Sequence, residues 1–110
     1  MKAQILPPTP EGIAKAGSHL RDGGLVAMPT ETVYGLAGNV FNESVLTKIF
    51  STKDRPEFDP LIVHVTGISS NNPAAQLDAQ GLIDAGALSR TAVKRVNILL
   101  STFWPGPFTI

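Results

Sequence analysis

At 110 residues, 43% hydrophobic and 16% charged, the chain has room for one hydrophobic core and not for a second. Nine Lys and Arg balance nine Asp and Glu, so no global field draws the chain to nucleic acid or anionic lipid, and a polyanion has to be met by a local cluster. The absence of cysteine excludes disulfides, thiolate catalysis and cysteine-ligated metal.

Thr9-Pro10 reads as an N-cap followed by proline at the first helical position, and Ile13, Ala16, Gly17 and Leu20 repeat at helical spacing up to Asp22-Gly23-Gly24. Leu25-Val26-Ala27-Met28, stopped by Pro29, predicts a short strand buried on both faces. Asn42 predicts the cap of a second helix whose Val45, Leu46, Ile49 and Phe50 form one stripe. Pro60 opens a second expected strand, Leu61-Ile62-Val63-His64-Val65, after the charged loop from Lys53 to Asp59. From Thr66 to Gly86 the composition predicts loop, with one weak helix around Ala74 to Leu82. Ser89 caps a better helix with Ala92, Val93, Val96, Leu99, Leu100 and Phe103 in period, and this helix stops at Trp104-Pro105-Gly106-Pro107. Phe108-Thr109-Ile110 begins an expected third strand with no closing turn after it, as in a truncated domain.

The first candidate for chemistry is Pro29-Thr30-Glu31-Thr32-Val33-Tyr34-Gly35-Leu36, just behind the first strand. Hydroxyls and a phenol beside a glycine suit a small polar ligand, because each donates and accepts; the alternative is an ordinary turn with Tyr34 in the core. The second is Lys53-x-Arg55-Pro56. Its two cations can grip a polyphosphate, Arg55 by a planar fork and Lys53 as a point charge, or simply be solvated charges that complement a helix C-terminus. His64 is read as a ligand contact or as a structural strand residue. The only other histidine, His19, has no carboxylate at ligand spacing, so no protein-built metal site is expected. The third candidate is the turn Trp104-Pro105-Gly106-Pro107-Phe108-Thr109, which either holds carbonyls and Thr109 against a ligand or only connects helix to strand. Walker, Gly-x-Gly-x-x-Gly and Gly-x-Ser-x-Gly motifs are all absent.

In this order, the motif around Thr30 to Leu36, Lys53-x-Arg55-Pro56, Pro60-Leu61-Ile62-Val63-His64-Val65 and Phe103 to Thr109 resemble the YrdC family of threonylcarbamoyl-AMP synthases, from about Ile13 to the last residue. The resemblance implies an α/β fold, a twisted open mixed sheet with flanking helices, here a single incomplete domain over residues 1–110. It implies a nucleotidyltransferase that makes threonylcarbamoyl-AMP from L-threonine, bicarbonate and ATP with Mg2+, for modification of tRNA. By position it assigns Thr32, Tyr34, His64 and Thr109 to threonine, Lys53 and Arg55 to catalysis and nucleotide phosphates, and Asp59 and Pro105 to the nucleotide site. Two departures are visible: Asp59 stands where the family usually has a neutral side chain, and the family's Ser-x-Asn signature is expected well downstream of the Pro-Gly-Pro turn, past Ile110. The expected partners are the substrates, tRNA or double-stranded RNA, and the tRNA-modification proteins that take up the adenylate. The alternatives are a non-catalytic RNA-binding relative or inactive fragment, and, ranked lower, the carbamoyl-transfer domain of a hydrogenase maturation factor. No stretch of about 18 apolar residues is present, and a cytoplasmic, membrane-free protein is expected.

Overall fold

A computed structural model describes residues 2–54, 56, 60–68 and 70–110. The chain divides into two compact units, Met1–Val63 and His64–Ile110. Together they are mixed α/β in content, with four α-helices and a two-stranded antiparallel sheet.

In the first unit, α1 (Pro10–Arg21) starts where the sequence places it. The Thr9 Oγ1 accepts from the Gly12 N–H at 3.2 Å, and Pro10 occupies a position that needs no donor. Gly23, at φ 81°, makes the left-handed turn that ends the helix and sends the chain into β1 (Val26–Met28). β1 pairs with β2 (Gly35–Ala37), Val26 opposite Ala37 and Met28 opposite Gly35. Helix α2 (Glu43–Lys53) then buries Val45 and Ile49. Gly38 sits directly over these two side chains. A Cβ there would run into Val45 and stand 3.1 and 3.2 Å from Leu25 and Ile49, so only glycine lets the chain leave β2 so close to the helix.

In the second unit, α3 (Pro73–Ala79) packs on α4 (Arg90–Phe103), with a 3₁₀ turn at Ala85–Ala87 between them. Ala74, Leu77 and Leu100 are buried. An amide pair accompanies this apolar contact. The Asn97 Oδ1 accepts from the Ala74 N–H at 2.8 Å, its Nδ2 donates to the Asn72 Oδ1 at 2.9 Å, and that same oxygen caps the Ala75 N–H at 3.2 Å. Two orphan donors at the start of α3 are thereby satisfied from α4 and from the cap. Ser89 caps α4 as expected, accepting from the Ala92 N–H at 3.1 Å.

Several expectations are corrected. The first strand is not buried on both faces: Ala27 and Met28 are exposed. Its partner β2 is a strand the sequence reading missed, because Gly35 interrupts the pattern. Leu61–Val65 is not a strand; Ile62 is 67% and Val63 44% exposed, and no described segment offers it a ladder. Phe108–Ile110 is not a strand either, because both backbone groups of Phe108 are engaged in the preceding turn. The weak helix begins at Pro73 and ends at Ala79, since Asn72 rather than a later residue caps it. Asn42 does precede α2, but its side chain accepts from the Ser44 hydroxyl at 2.8 Å and makes no cap. On α4, Leu99 and Phe103 are exposed and the inward stripe runs through Asn97 and Leu100.

Asn97→Ala removes the acceptor of a helix-start N–H and should destabilise the protein by about 1–3 kcal/mol. Urea unfolding would register this as a lower midpoint at unchanged slope.

Candidate functional site

Pro29 to Tyr34 form the loop that joins β1 to β2. Its order comes from one hydroxyl. The Thr30 Oγ1 accepts from the backbone N–H groups of Thr32 and Val33, both at 3.2 Å, and donates to the Val33 carbonyl. Thr32 and Tyr34 are thereby displayed to solvent on one loop, Tyr34 being 74% exposed. The alternative that Tyr34 is a core residue is excluded by that exposure.

Lys53 is the last residue of α2 and is exposed, where its charge complements the carbonyl end of the helix. Asp54 follows in the left-handed conformation at φ 50°, a region that Asp tolerates better than most side chains, and turns the chain out of the helix. Arg55 and Asp59 lie outside the described residues. Among the described residues no hydrogen bond joins Lys53 to the Thr30 loop.

In the second unit His64 is exposed and belongs to no regular element, so the strand alternation that was to aim its imidazole does not operate. The segment Trp104 to Thr109 is an organised turn. The Trp104 N–H donates to the Leu100 carbonyl at 3.0 Å, its indole Nε1–H to the Phe108 carbonyl at 2.6 Å, and the Phe108 N–H to the Gly106 carbonyl at 2.9 Å. The rings of Phe103 and Phe108 lie 5.0 Å apart at 32°, a tilted pair that ties the end of α4 to the exit of the turn. The Trp104–Pro105 peptide is cis. Pro105 and Thr109 stand exposed on this scaffold. A shallow groove of about 540 Å³ runs along α4, lined among others by Arg90, Val93, Lys94, Asn97 and Ile98; none of the residues proposed from the sequence as ligand contacts lines it.

Among the described residues no three His, Asp or Glu side chains gather as metal ligands, and no helix is long and apolar enough to cross a membrane. Two residues with clear local roles escaped the sequence reading. Asn97 gave no signal beyond being a polar residue within the α4 period. Thr30 gave one, a hydroxyl followed two and three residues later by N–H groups that a tight loop leaves unpaired.

In the first unit the Thr32 hydroxyl, the Tyr34 phenol and the Lys53 ammonium are exposed on a loop and a helix end; in the second unit the His64 imidazole and the Thr109 hydroxyl are exposed. The Sua5/YciO/YrdC family model, described as "Telomere recombination", matches residues 18–110, and the chain belongs to this family. Curated relatives named threonylcarbamoyl-AMP synthase include those of Bacillus subtilis (40% identical over 98 residues, 89% of this chain) and Pyrococcus abyssi (37% over 95 residues, 86% of this chain). The enzyme of that name from Methylococcus capsulatus is 32% identical over 94 residues. The chain spans 24% of the length of the first two and 43% of the third. No solved structure matches.

Trp104→Phe deletes the indole donor while keeping an aromatic ring. The turn should loosen, with amide exchange at Phe108 and Thr109 accelerating and stability falling by about 1 kcal/mol, measurable by hydrogen-exchange NMR and thermal unfolding.

Proposed function

We propose that the chain carries substrate-binding parts of a threonylcarbamoyl-AMP synthase, a nucleotidyltransferase that joins L-threonine, bicarbonate and ATP into threonylcarbamoyl-AMP and releases pyrophosphate. The observation that carries this reading is the similarity to relatives of that name across 86–89% of the chain, including every candidate from Thr32 to His64. The loop geometry supports it further, since Thr32 and Tyr34 are solvent-facing and open to a ligand.

In this reading the threonine amine is carboxylated by bicarbonate with loss of water. A carbamate oxygen then attacks the α-phosphorus of ATP; a new P–O bond forms, the bond between the α-phosphorus and the bridging oxygen breaks, and pyrophosphate leaves with the electron pair. No covalent enzyme intermediate is required. Catalysis comes from holding carbamate and α-phosphate in line and from offsetting charge as it develops. Lys53 and Arg55 take the phosphates; Thr32, Tyr34, His64 and Thr109 take threonine; the Pro105 turn lines the nucleotide, and Asp59 adds a negative charge that lowers nucleotide affinity unless Mg2+ or Arg55 offsets it. Mg2+ would enter with the nucleotide as part of the substrate. The product serves the proteins that place the threonylcarbamoyl group on tRNA, which makes the chain part of a tRNA-modification system.

The test is pyrophosphate release from ATP by the protein, with threonine and bicarbonate each present or omitted. Release that needs both is the expected result; release that needs neither, or none at all, contradicts the reading. Lys53→Ala and Arg55→Ala should each lower turnover by about 100-fold or more, the scale for losing one donor aimed at developing charge. His64→Ala should weaken threonine binding by about tenfold and leave ATP binding unchanged, as calorimetry with each ligand would show.

A further inference from the structure

We propose that Thr30 is a positioning residue that sets the geometry of Thr32 for the ligand, an inference that rests on the reading of Thr32 as a threonine contact. A threonine hydroxyl has one proton to give and two lone pairs to receive with. In Thr30 all three are committed: the lone pairs to the N–H groups of Thr32 and Val33, the proton to the Val33 carbonyl. The Thr32 hydroxyl stands 3.3 Å from the Thr30 Oγ1, a long and weak hydrogen bond. Thr30 therefore holds the backbone on which Thr32 is carried and, more loosely, its hydroxyl, and so sets where the Thr32 Oγ1 meets a ligand. Its methyl group lies near Gly35 at the start of β2, 3.6 Å from where a Cβ on that glycine would stand.

The loop is exposed, so these bonds compete with water and contribute little to global stability. This separates positioning from a merely structural role. Thr30→Val keeps the shape and removes all three hydrogen bonds, whereas Thr30→Ser keeps the hydroxyl and loses only the methyl group.

The experiment measures threonine binding by calorimetry, ATP binding by the same method, thermal unfolding, and amide exchange at Thr32 and Val33, in wild type and both variants. The expected result is that Thr30→Val weakens threonine binding by about tenfold and speeds exchange at Thr32 and Val33, while ATP binding and the unfolding temperature hold; Thr30→Ser should retain most of the affinity. Wild-type threonine binding with an unchanged affinity in Thr30→Val overturns the positioning role and leaves the synthase reading standing. Equal loss of threonine and ATP binding, with a fall in unfolding temperature, also overturns it, since Thr30 would then act on the fold. Absence of threonine binding by wild type overturns the synthase reading itself, and the ligand role of Thr30 with it.

Discussion

Scarcity of buried apolar surface governs this chain. Among the described residues the apolar side chains withdrawn from water are Val45, Ile49, Pro73, Ala74, Leu77 and Leu100, divided between two units. A small body that buries so little has little hydrophobic driving force to place its helices, so local polar closures take a larger share. The start of α3 is held by Asn72 and by Asn97 from α4; α1 and α4 begin on Thr9 and Ser89; the last turn closes on the Trp104 indole. In the first unit steric exclusion does the corresponding work, since the bare Gly38 lets the hairpin exit lie against Val45 and Ile49.

Caps and breaks were the most legible part of the sequence, because they depend on residues within one turn of each other. Thr9-Pro10, Ser89 and Trp104-Pro105 each act where they stand, so the starts of α1 and α4 and the end of α4 could be read directly. Strands were legible only in part. Val26–Met28 is a strand, but Leu61–Val65, richer in β-branched residues, has no ladder, because a strand exists only by virtue of a partner that its own sequence does not name. Phe108 shows the converse, a β-prone residue whose backbone groups are already engaged by Gly106 and Trp104. The Asn97 bridge joins residues 23 and 25 positions apart in the chain and leaves no local pattern to find.

The candidate site was legible as a set of residue types and not as a geometry. Thr32, Tyr34, Lys53, His64 and Thr109 are all exposed, each at the end or in the connection of an element rather than inside one. That placement suits chemistry that depends on presenting hydroxyls and charge to a ligand and not on a perturbed nucleophile. The ordered motifs carried more information than any residue alone, since Lys53-x-Arg55 by itself reads more readily as a helix end with solvated cations. The Sua5/YciO/YrdC family match covers all of those motifs.

The central claim is that this chain belongs to a machine that builds a threonylcarbamoyl adenylate. Its most direct test is mass spectrometry of the nucleotide products formed by the protein from ATP, threonine and isotopically labelled bicarbonate. An adenylate with the mass of threonylcarbamoyl-AMP, carrying the bicarbonate label, is the predicted result. ATP left intact, or nucleotide products in which neither the label nor threonine appears, would contradict it.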